Sequence, residues 1–216
     1  DLQGKVRAHA TWSTFKDIFN IPRSQLPLQV GWDVPYPGAS TPREELLNRL
    51  YRSTTRFDDE DLYDSFMQVA LLDSFATHQP RVLFVGYGET DDWAHAGRYD
   101  LVLQSAHHFD QFVAELWEHL QTLPAYRGTT TFIITTDHGR GSGLTEWKEH
   151  GVEQKGSENI WIAVLGPDTA PLGERSHTGE VHQAQIAATV AAFLGKDFRK
   201  AAPSAAPAIG EVLGRK

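Results

Sequence analysis

The pattern that most constrains this chain is a long helical repeat between two short strand-like runs. Apolar residues recur at steps of four and three from Val102 to Leu120, as in a helix with one buried face, and Pro124 ends the pattern. The flanking runs, RVLFVGYGE from Arg81 and TTTFIITT over Thr129–Thr136, are apolar or rich in β-branched residues, and we expect the first to be buried on both faces. Strand, crossover helix and strand in this order predict an α/β fold, with a mostly parallel sheet covered by helices on both faces.

The segments on either side continue the alternation of helices and strands. Three further elements are predicted: a helix from Asp61 to before Pro80, a strand at Asn159–Pro167, and a helix over about Val181–Leu194 that Gly195 caps. The first sixty residues string together Pro and aromatic residues without a clean period. There we predict mostly loop, with one short helix near Pro42 to Arg52.

The chain is predicted to form a single α/β domain over residues 1–216, with two smaller domains as the alternative. Within it, residues 1–60 are the irregular segment, residues 61–195 carry the candidate functional side chains, and residues 196–216 form a C-terminal tail.

The charge of the chain argues against two classes of partner. Its 28 acidic and 20 basic residues give a formal net charge of -8, which repels phosphate backbones and anionic lipid surfaces. No apolar run is long enough to span a bilayer, so we expect a soluble chain with no nucleic acid and no membrane as partner. The absence of Cys fits an oxidising or a reducing compartment equally. The compartment stays open, with a periplasmic or secreted location as the expectation for a longer parent protein.

Side chains that can bind metals follow the strands where open parallel sheets place their ligands. Asp91 and His95 follow the first run and are four residues apart, so one helical turn would bring them to the same side. Asp137 and His138 follow the second run, in TTDHGRG, and His150 lies in the loop before the third strand. Two Asp and three His supply the oxygen and nitrogen donors that zinc prefers and manganese also uses. This layout predicts two divalent metal ions, zinc or manganese.

Three motifs in this order resemble those of the alkaline phosphatase superfamily, which includes phosphatases, phosphodiesterases, cofactor-independent phosphoglycerate mutases and sulfatases. The motifs are Asp-x-x-x-His in DDWAH, Asp-His-Gly in TTDHGRG, and a later His-Gly before an apolar strand in EHGVEQKGSENIWIAVLGP. The resemblance covers residues 81–195. It implies an alkaline phosphatase-like fold and a metal-dependent hydrolase whose substrate is a small phosphorylated or sulfated molecule.

The resemblance also divides the candidate ligands between two metals. These are Asp91, His95 and His150 for the first metal, and Asp137 and His138 for half of the shell of the second. His177, in SHTGE, is the alternative to His150 as a ligand of the first metal. Arg140 follows the Asp-His-Gly motif and is the candidate for binding an anionic substrate, with a structural role as the alternative.

One part of the family pattern is not found. Members of the superfamily have, near their N-terminus, a strand that ends in a metal-binding Asp and is followed by a Ser or Thr nucleophile. The hydroxyl residues available in the N-terminal segment are Thr11, Ser13, Thr14, Ser53 and Thr54. None follows a convincing buried strand with an acidic end, so no catalytic nucleophile is assigned. The chain resembles the C-terminal half of a longer protein, and we expect an incomplete domain and an incomplete second metal site.

Three functions remain open on sequence grounds. The first is a two-metal hydrolase of phosphate esters, of which this chain carries most metal ligands. The second is a sulfatase of the same superfamily; sulfatases generally hold one calcium through oxygen-rich ligands, whereas three candidate His favour a transition-metal pair. The third is a non-catalytic module that binds a metal or a protein, and an exposed sheet edge would favour its self-association.

Overall fold

The computed structural model describes residues 2–176 and 178–214, which divide into two units, Asp1–Trp117 and Glu118–Lys216. The elements of the first unit are β1 (Val6–Ala10), α1 (Phe15–Ile18), α2 (Ile21–Ser24), β2 (Leu28–Val30), α3 (Pro42–Ser53), α4 (Asp64–His78), β3 (Val82–Gly86), α5 (Glu89–His95) and most of α6 (Tyr99–Thr122). Those of the second unit are β4 (Phe132–Thr135), β5 (Ile162–Leu165) and α7 (Ile186–Phe193).

A parallel three-stranded sheet in the order β2-β1-β3 organises the first unit. Ala8 of β1 lies opposite Leu28 of β2 and Phe84 of β3, and Ala8 and Ala10 are buried. The α/β prediction is confirmed, with this parallel sheet flanked by helices. The prediction for the first sixty residues missed β1 and β2, while α3 lies where the one short helix was predicted. In β1 the apolar Val6, Ala8 and Ala10 alternate with Arg7 and His9, but Ala makes this alternation a weak strand signal.

Strand β3 is less buried than its apolar sequence predicts. It forms an edge of the sheet, and β1 is its only strand partner among the described residues. Phe84 is 40% exposed, so burial on both faces is contradicted for this strand. An edge strand can be as apolar as a central strand, and sequence alone does not separate the two.

The predicted helices are confirmed, and local signals explain where they begin. In α3, the Thr41 side chain accepts a hydrogen bond from the backbone N–H of Glu44, and the Glu44 carboxylate accepts one from the backbone N–H of Thr41. Pro42 occupies the first turn, where its missing N–H costs nothing. The helices contribute to a core around Tyr51, Leu62 and Met67. No helix in the described ranges has the length and apolarity needed to cross a membrane.

The two strands of the second unit run antiparallel, with Phe132 opposite Leu165 and Thr135 opposite Ile162. The expectation that they continue a parallel sheet is therefore wrong. The connection between them contains one short 3-10 helix, Glu146–Lys148, and no crossover α-helix among its residues, all of which are described. Parallel neighbours need such a crossover, whereas antiparallel neighbours can be joined by a loop.

The last helix ends as the sequence predicts. Gly195 has φ of +69°, and its backbone N–H bonds to the carbonyl of Ala192 at 2.9 Å. The next backbone N–H, of Lys196, bonds to the carbonyl of Ala191 at 2.8 Å. This pair of hydrogen bonds is the Schellman motif, in which glycine takes the left-handed conformation at no steric cost.

Candidate metal centre

Helix α5 places the first pair of candidate ligands on one turn, in the first unit. Asp91 and His95 are one helical turn apart, and the distance between Asp91 Oδ2 and His95 Nε2 is 3.3 Å. A tetrahedral zinc with ligands at roughly 2.1 Å separates its donor atoms by about 3.4 Å. The two side chains are 38% and 40% exposed, respectively. The predicted pairing of these residues on one side of a helical turn is therefore what the structure contains.

Glu89 anchors the start of α5 to two other helices of the same unit. Its Oε1 accepts a hydrogen bond of 3.0 Å from the backbone N–H of Asp64, at the start of α4. Its Oε2 accepts one of 3.0 Å from the hydroxyl of Ser105, on α6. A helix of only seven residues is marginal alone, so these bonds help to fix the turn that carries Asp91 and His95.

Carboxylates are crowded and poorly hydrated on this side of the first unit. Burial raises the pKa of Asp64 to about 7, and the nearby charge of Glu89 contributes to the shift. Burial also raises the pKa of Asp92 to about 8 and that of Asp61 to about 7, with further contributions from neighbouring carboxylates. A buried carboxylate without a compensating positive charge prefers its protonated form. Sequence analysis did not single out Asp61, Asp64 or Asp92, because only folding brings these carboxylates together.

The second pair of candidate ligands lies just beyond β4, in the second unit. Asp137 Oδ1 accepts a hydrogen bond of 3.0 Å from the backbone N–H of His138 and lies 3.7 Å from His138 Nε2. His138 Nδ1 lies 2.9 Å from the carbonyl oxygen of Gly139, which can only accept. A hydrogen bond at this contact requires Nδ1 to be the donor, which leaves Nε2 as the ring nitrogen available to a metal. Such a backbone hydrogen bond commonly fixes the ring of a metal-binding His.

Gly139 is required in this loop because another stretch of backbone crosses it closely. Its N–H donates to the carbonyl of Ser157 at 2.7 Å. A Cβ at Gly139 would lie 2.3 Å from the carbonyl oxygen of Gly156 and 2.4 Å from that of Asn159. Real side chains do not approach backbone so closely. The glycine of the Asp-His-Gly motif thus permits the contact that holds Asp137 and His138 in place.

His150 stacks on His138 within the second unit. The two imidazole centroids are 3.7 Å apart and the ring planes differ by 14°. The loop that carries His150 is held by a 3.1 Å hydrogen bond from the backbone N–H of Gly141 to the carbonyl of Glu149. His150 therefore lies beside the Asp137–His138 pair in the second unit. The alternative ligand, His177, lies outside the described residues.

Arg140 is engaged within its own loop. Its guanidinium donates a hydrogen bond of 2.8 Å to the carbonyl of Lys148, and burial lowers its pKa. This bond supports the structural alternative for Arg140, because it links the Asp-His-Gly segment to the segment before His150.

A polar crevice of about 300 Å³ adjoins Asp137 in the second unit. It is lined by Asp137, Ser157, Glu158, Ile160, Glu180, Val181, His182 and Gln183. His182, which the helix predicted over about Val181–Leu194 would contain, instead precedes the 3-10 helix Gln183–Gln185 that leads into α7. Gln183 donates a hydrogen bond of 3.1 Å to the carbonyl of Asp137. No local pattern predicts the lining of this crevice, since its residues come from two separate loops.

Comparison with protein families supports the chemistry of these residues. The model of a family described as the metalloenzyme superfamily matches residues 53–197, the range that contains every candidate ligand. No curated protein matches the chain. The family groups metal-dependent, hydrolase-like enzymes, and the donor set described above fits divalent metal binding. Because the match covers most of its length, the chain belongs to the metalloenzyme superfamily, a part of the alkaline phosphatase-like superfamily.

Proposed function

We propose that this chain is the metal-binding portion of a two-metal hydrolase of phosphate esters. In this proposal Asp91, His95 and His150 bind one divalent ion, and Asp137 and His138 contribute to the shell of a second. The observation that carries the proposal is the spacing of the two Asp–His pairs, 3.3 Å and 3.7 Å between donor atoms, each just beyond a β-strand.

The residues of each pair have distinct tasks in this chemistry. Divalent ions held by these residues would supply positive charge to offset the negative charge that develops on the transferred group, and would activate an oxygen nucleophile. In this proposal His138 donates from Nδ1 to the carbonyl of Gly139 and offers Nε2 to the metal. Asp137, whose side chain is 83% exposed, lines the adjoining crevice and is accessible from it. Zinc and manganese are the ions expected for this mixture of donors.

A phosphate ester is favoured over a sulfate ester by the His content of the donor set. Three imidazoles among five candidate ligands suit transition metals better than calcium, which prefers oxygen ligands. No residue is assigned as nucleophile. Thr11 follows the buried strand β1 directly, but the strand does not end in an acidic residue, as the superfamily pattern requires.

Metal content tests the proposal directly. The chain would be purified without chelator, loaded with zinc or manganese, and analysed by mass spectrometry beside the Asp91→Ala, His95→Ala double variant. The matched control is Asp110→Ala, His107→Ala, which removes the same side-chain types from exposed positions on α6. We expect the first variant to lose about one equivalent of metal and the control to lose none. Equal metal content in all three proteins would contradict the assignment.

Activity measurements then separate the candidate functions. Aryl phosphate monoesters, aryl phosphate diesters and aryl sulfates would be offered to the metal-loaded chain. Hydrolysis of a phosphate that falls in the Asp91→Ala, His95→Ala variant supports the proposal, whereas hydrolysis of the sulfate alone supports a sulfatase. Bound metal with no hydrolysis of any of the three would favour the non-catalytic module.

A further inference from the structure

A second group of side chains in the first unit has the composition of a site for a hard cation. Asp58, Asp61 and Asp92 each offer a carboxylate oxygen, and these three atoms lie within 4.8 Å of one another. Asp58 and Asp61 belong to the loop before α4, whereas Asp92 lies in the first turn of α5. None of the three forms a salt bridge with a Lys or Arg in the described part of the chain.

A buried hydroxyl faces the same space. Thr11 follows β1, is fully buried, and its Oγ1 has no hydrogen-bond partner among the described residues. The distances from a Cβ built at Gly88 show how close this oxygen lies to the carboxylates. A Cβ at Gly88 would lie 2.7 Å from Thr11 Oγ1, 3.1 Å from Asp61 Oδ1 and 3.8 Å from Asp92 Oδ2. The hydroxyl and the two carboxylates therefore border the space that a side chain at Gly88 would occupy.

The backbone fixes these donors in place. The N–H of Leu62 bonds to the carbonyl of Thr11 at 3.1 Å, which joins the loop of Asp61 to the end of β1. Asp58 Oδ1 accepts hydrogen bonds of 2.7 Å from the N–H groups of Glu60 and Asp61, which closes the loop on itself. A buried hydroxyl without a partner costs free energy, and so do adjacent carboxylates without a counter-ion. A cation at their centre would offset both costs.

We propose that Thr11, Asp58, Asp61 and Asp92 bind a hard divalent cation, calcium or magnesium, at a site separate from the Asp–His ligands. The donors are all oxygens, which these ions prefer and which distinguishes this site from the His-containing set. Opposite ligands of calcium lie up to about 5 Å apart, so the observed spread of the carboxylates accommodates this ion without rearrangement. The site would join the end of β1 to the start of α5.

Terbium luminescence tests the proposal, because Tb³⁺ replaces hard divalent cations and is excited through nearby Trp. The Trp32 Nε1–H donates to the carbonyl of Asp61 at 2.7 Å, and Trp12 pairs with Asp61 in an isolated bridge. We expect saturable luminescence from the full chain, with affinity reduced at least tenfold in Asp61→Asn and about threefold in Thr11→Val. Asp59→Asn, a neighbouring exposed carboxylate that pairs with Arg56, is the matched control and should bind Tb³⁺ as the parent does.

Competition and a second variant make the outcome decisive. Calcium or magnesium should displace Tb³⁺ at lower concentration than zinc, and the Asp91→Ala, His95→Ala variant should keep its Tb³⁺ affinity. This last result separates the cation site from the proposed hydrolase centre, so that either can fail alone. The proposal is overturned if Asp61→Asn, with an unchanged circular dichroism spectrum, binds Tb³⁺ as tightly as the parent. Preferential displacement by zinc would also overturn it.

Discussion

The two Asp–His pairs use the same chemical groups but are held by different kinds of backbone. Asp91 and His95 are brought together by helical periodicity, and Glu89 ties their short helix to its neighbours. Asp137 and His138 are adjacent in sequence and lie in a loop, where the contact of Gly139 with Gly156 and Asn159 sets their geometry. The spacing within the helical pair is therefore set by the helical turn itself, whereas the geometry of the loop pair is set by the backbone that packs against Gly139.

Gly139→Ala should displace the loop pair, Asp137 and His138, and has the largest expected effect of the substitutions considered. The new Cβ would lie 2.3 Å from the carbonyl oxygen of Gly156, so the two loops must separate. We expect a loss of about 2 kcal/mol in the free energy of unfolding, as for other overpacked sites. Metal binding that depends on His138 should fall about 100-fold. Urea unfolding and metal titration measure these effects.

Gly210→Ala is the matched control, because a Cβ there would meet no atom within 4 Å. If Gly139→Ala unfolded like the parent and kept its metal affinity, the contact between the two loops would not determine the ligand geometry.

His150→Ala tests whether His150, in the loop region, binds the same metal ion as the helical pair Asp91 and His95. Removing even an outer-shell partner of a metal costs roughly 10- to 100-fold in affinity, so the loss of a ligand should cost at least about 100-fold. The stacking contact with His138 is worth only about 1 kcal/mol, so the metal-free chain should remain folded. Metal titration of His150→Ala beside His177→Ala distinguishes the two candidate ligands: a loss in the second alone would reassign the role to His177.

The pH dependence of stability should reveal the crowded carboxylates beside the helical pair. The pKa of Asp64 is raised from 3.8 to about 7, so its contribution to stability is full below about 3.8 and is lost as the pH rises towards 7. His9 acts in the opposite sense: burial lowers its pKa from 6.5 to about 4, so its contribution is full above 6.5 and is lost as the pH falls. The two contributions oppose one another between about pH 4 and 6.5.

Asp64→Asn should therefore make the stability of the metal-free chain rise more steeply with pH across this window. His9→Gln is the complementary variant and should give a shallower or reversed slope. Thermal unfolding midpoints measured from pH 4 to pH 8 with a chelator present would check both. Parallel profiles for the parent and Asp64→Asn would contradict the assigned shift.

Ser105→Ala has the smallest expected effect. It removes the hydrogen bond that joins α6 to Glu89, at a cost of about 1 kcal/mol in the free energy of unfolding. The thermal midpoint should fall by roughly 3 °C, and the metal affinity of the Asp91–His95 pair should change less than about threefold. Ser65→Ala, in the exposed part of α4, provides a baseline for removing a Ser hydroxyl. A tenfold change in metal affinity would mean that the anchoring of α5 through Glu89 contributes more than its own helical turn to the metal-binding geometry of Asp91 and His95.

The elements that sequence predicted well are those whose signals are local. The long helix α6, the capping glycine after α7 and the helical turn of Asp91 and His95 follow from periodicity and residue type alone. The strand β1 was missed because its buried positions are Ala8, His9 and Ala10, two small residues and a polar one, which are weak signals of a strand. The antiparallel pairing of β4 with β5 was missed because it is decided by contacts that no local pattern encodes.

The same limit applies to the candidate site. Motif spacing identified all five candidate ligands, whose assignment stays a proposal until metal binding is measured. The group formed by Thr11, Asp58, Asp61 and Asp92 is brought together by folding of segments that are distant in sequence, and each member alone resembles an ordinary polar residue. Such convergence becomes visible only in three dimensions.

The difference in backbone between the two Asp–His pairs also implies an order of assembly. A pair four residues apart closes on the fast timescale of helix formation, whereas the loop around Gly139 must await Ser157 and Asn159, which are synthesised later. During synthesis α5 leaves the ribosome before β4 and β5 exist. The nascent chain therefore presents one Asp–His pair while the other has no structure to hold it, and in the proposed metal centre the first pair would be the earlier to capture an ion.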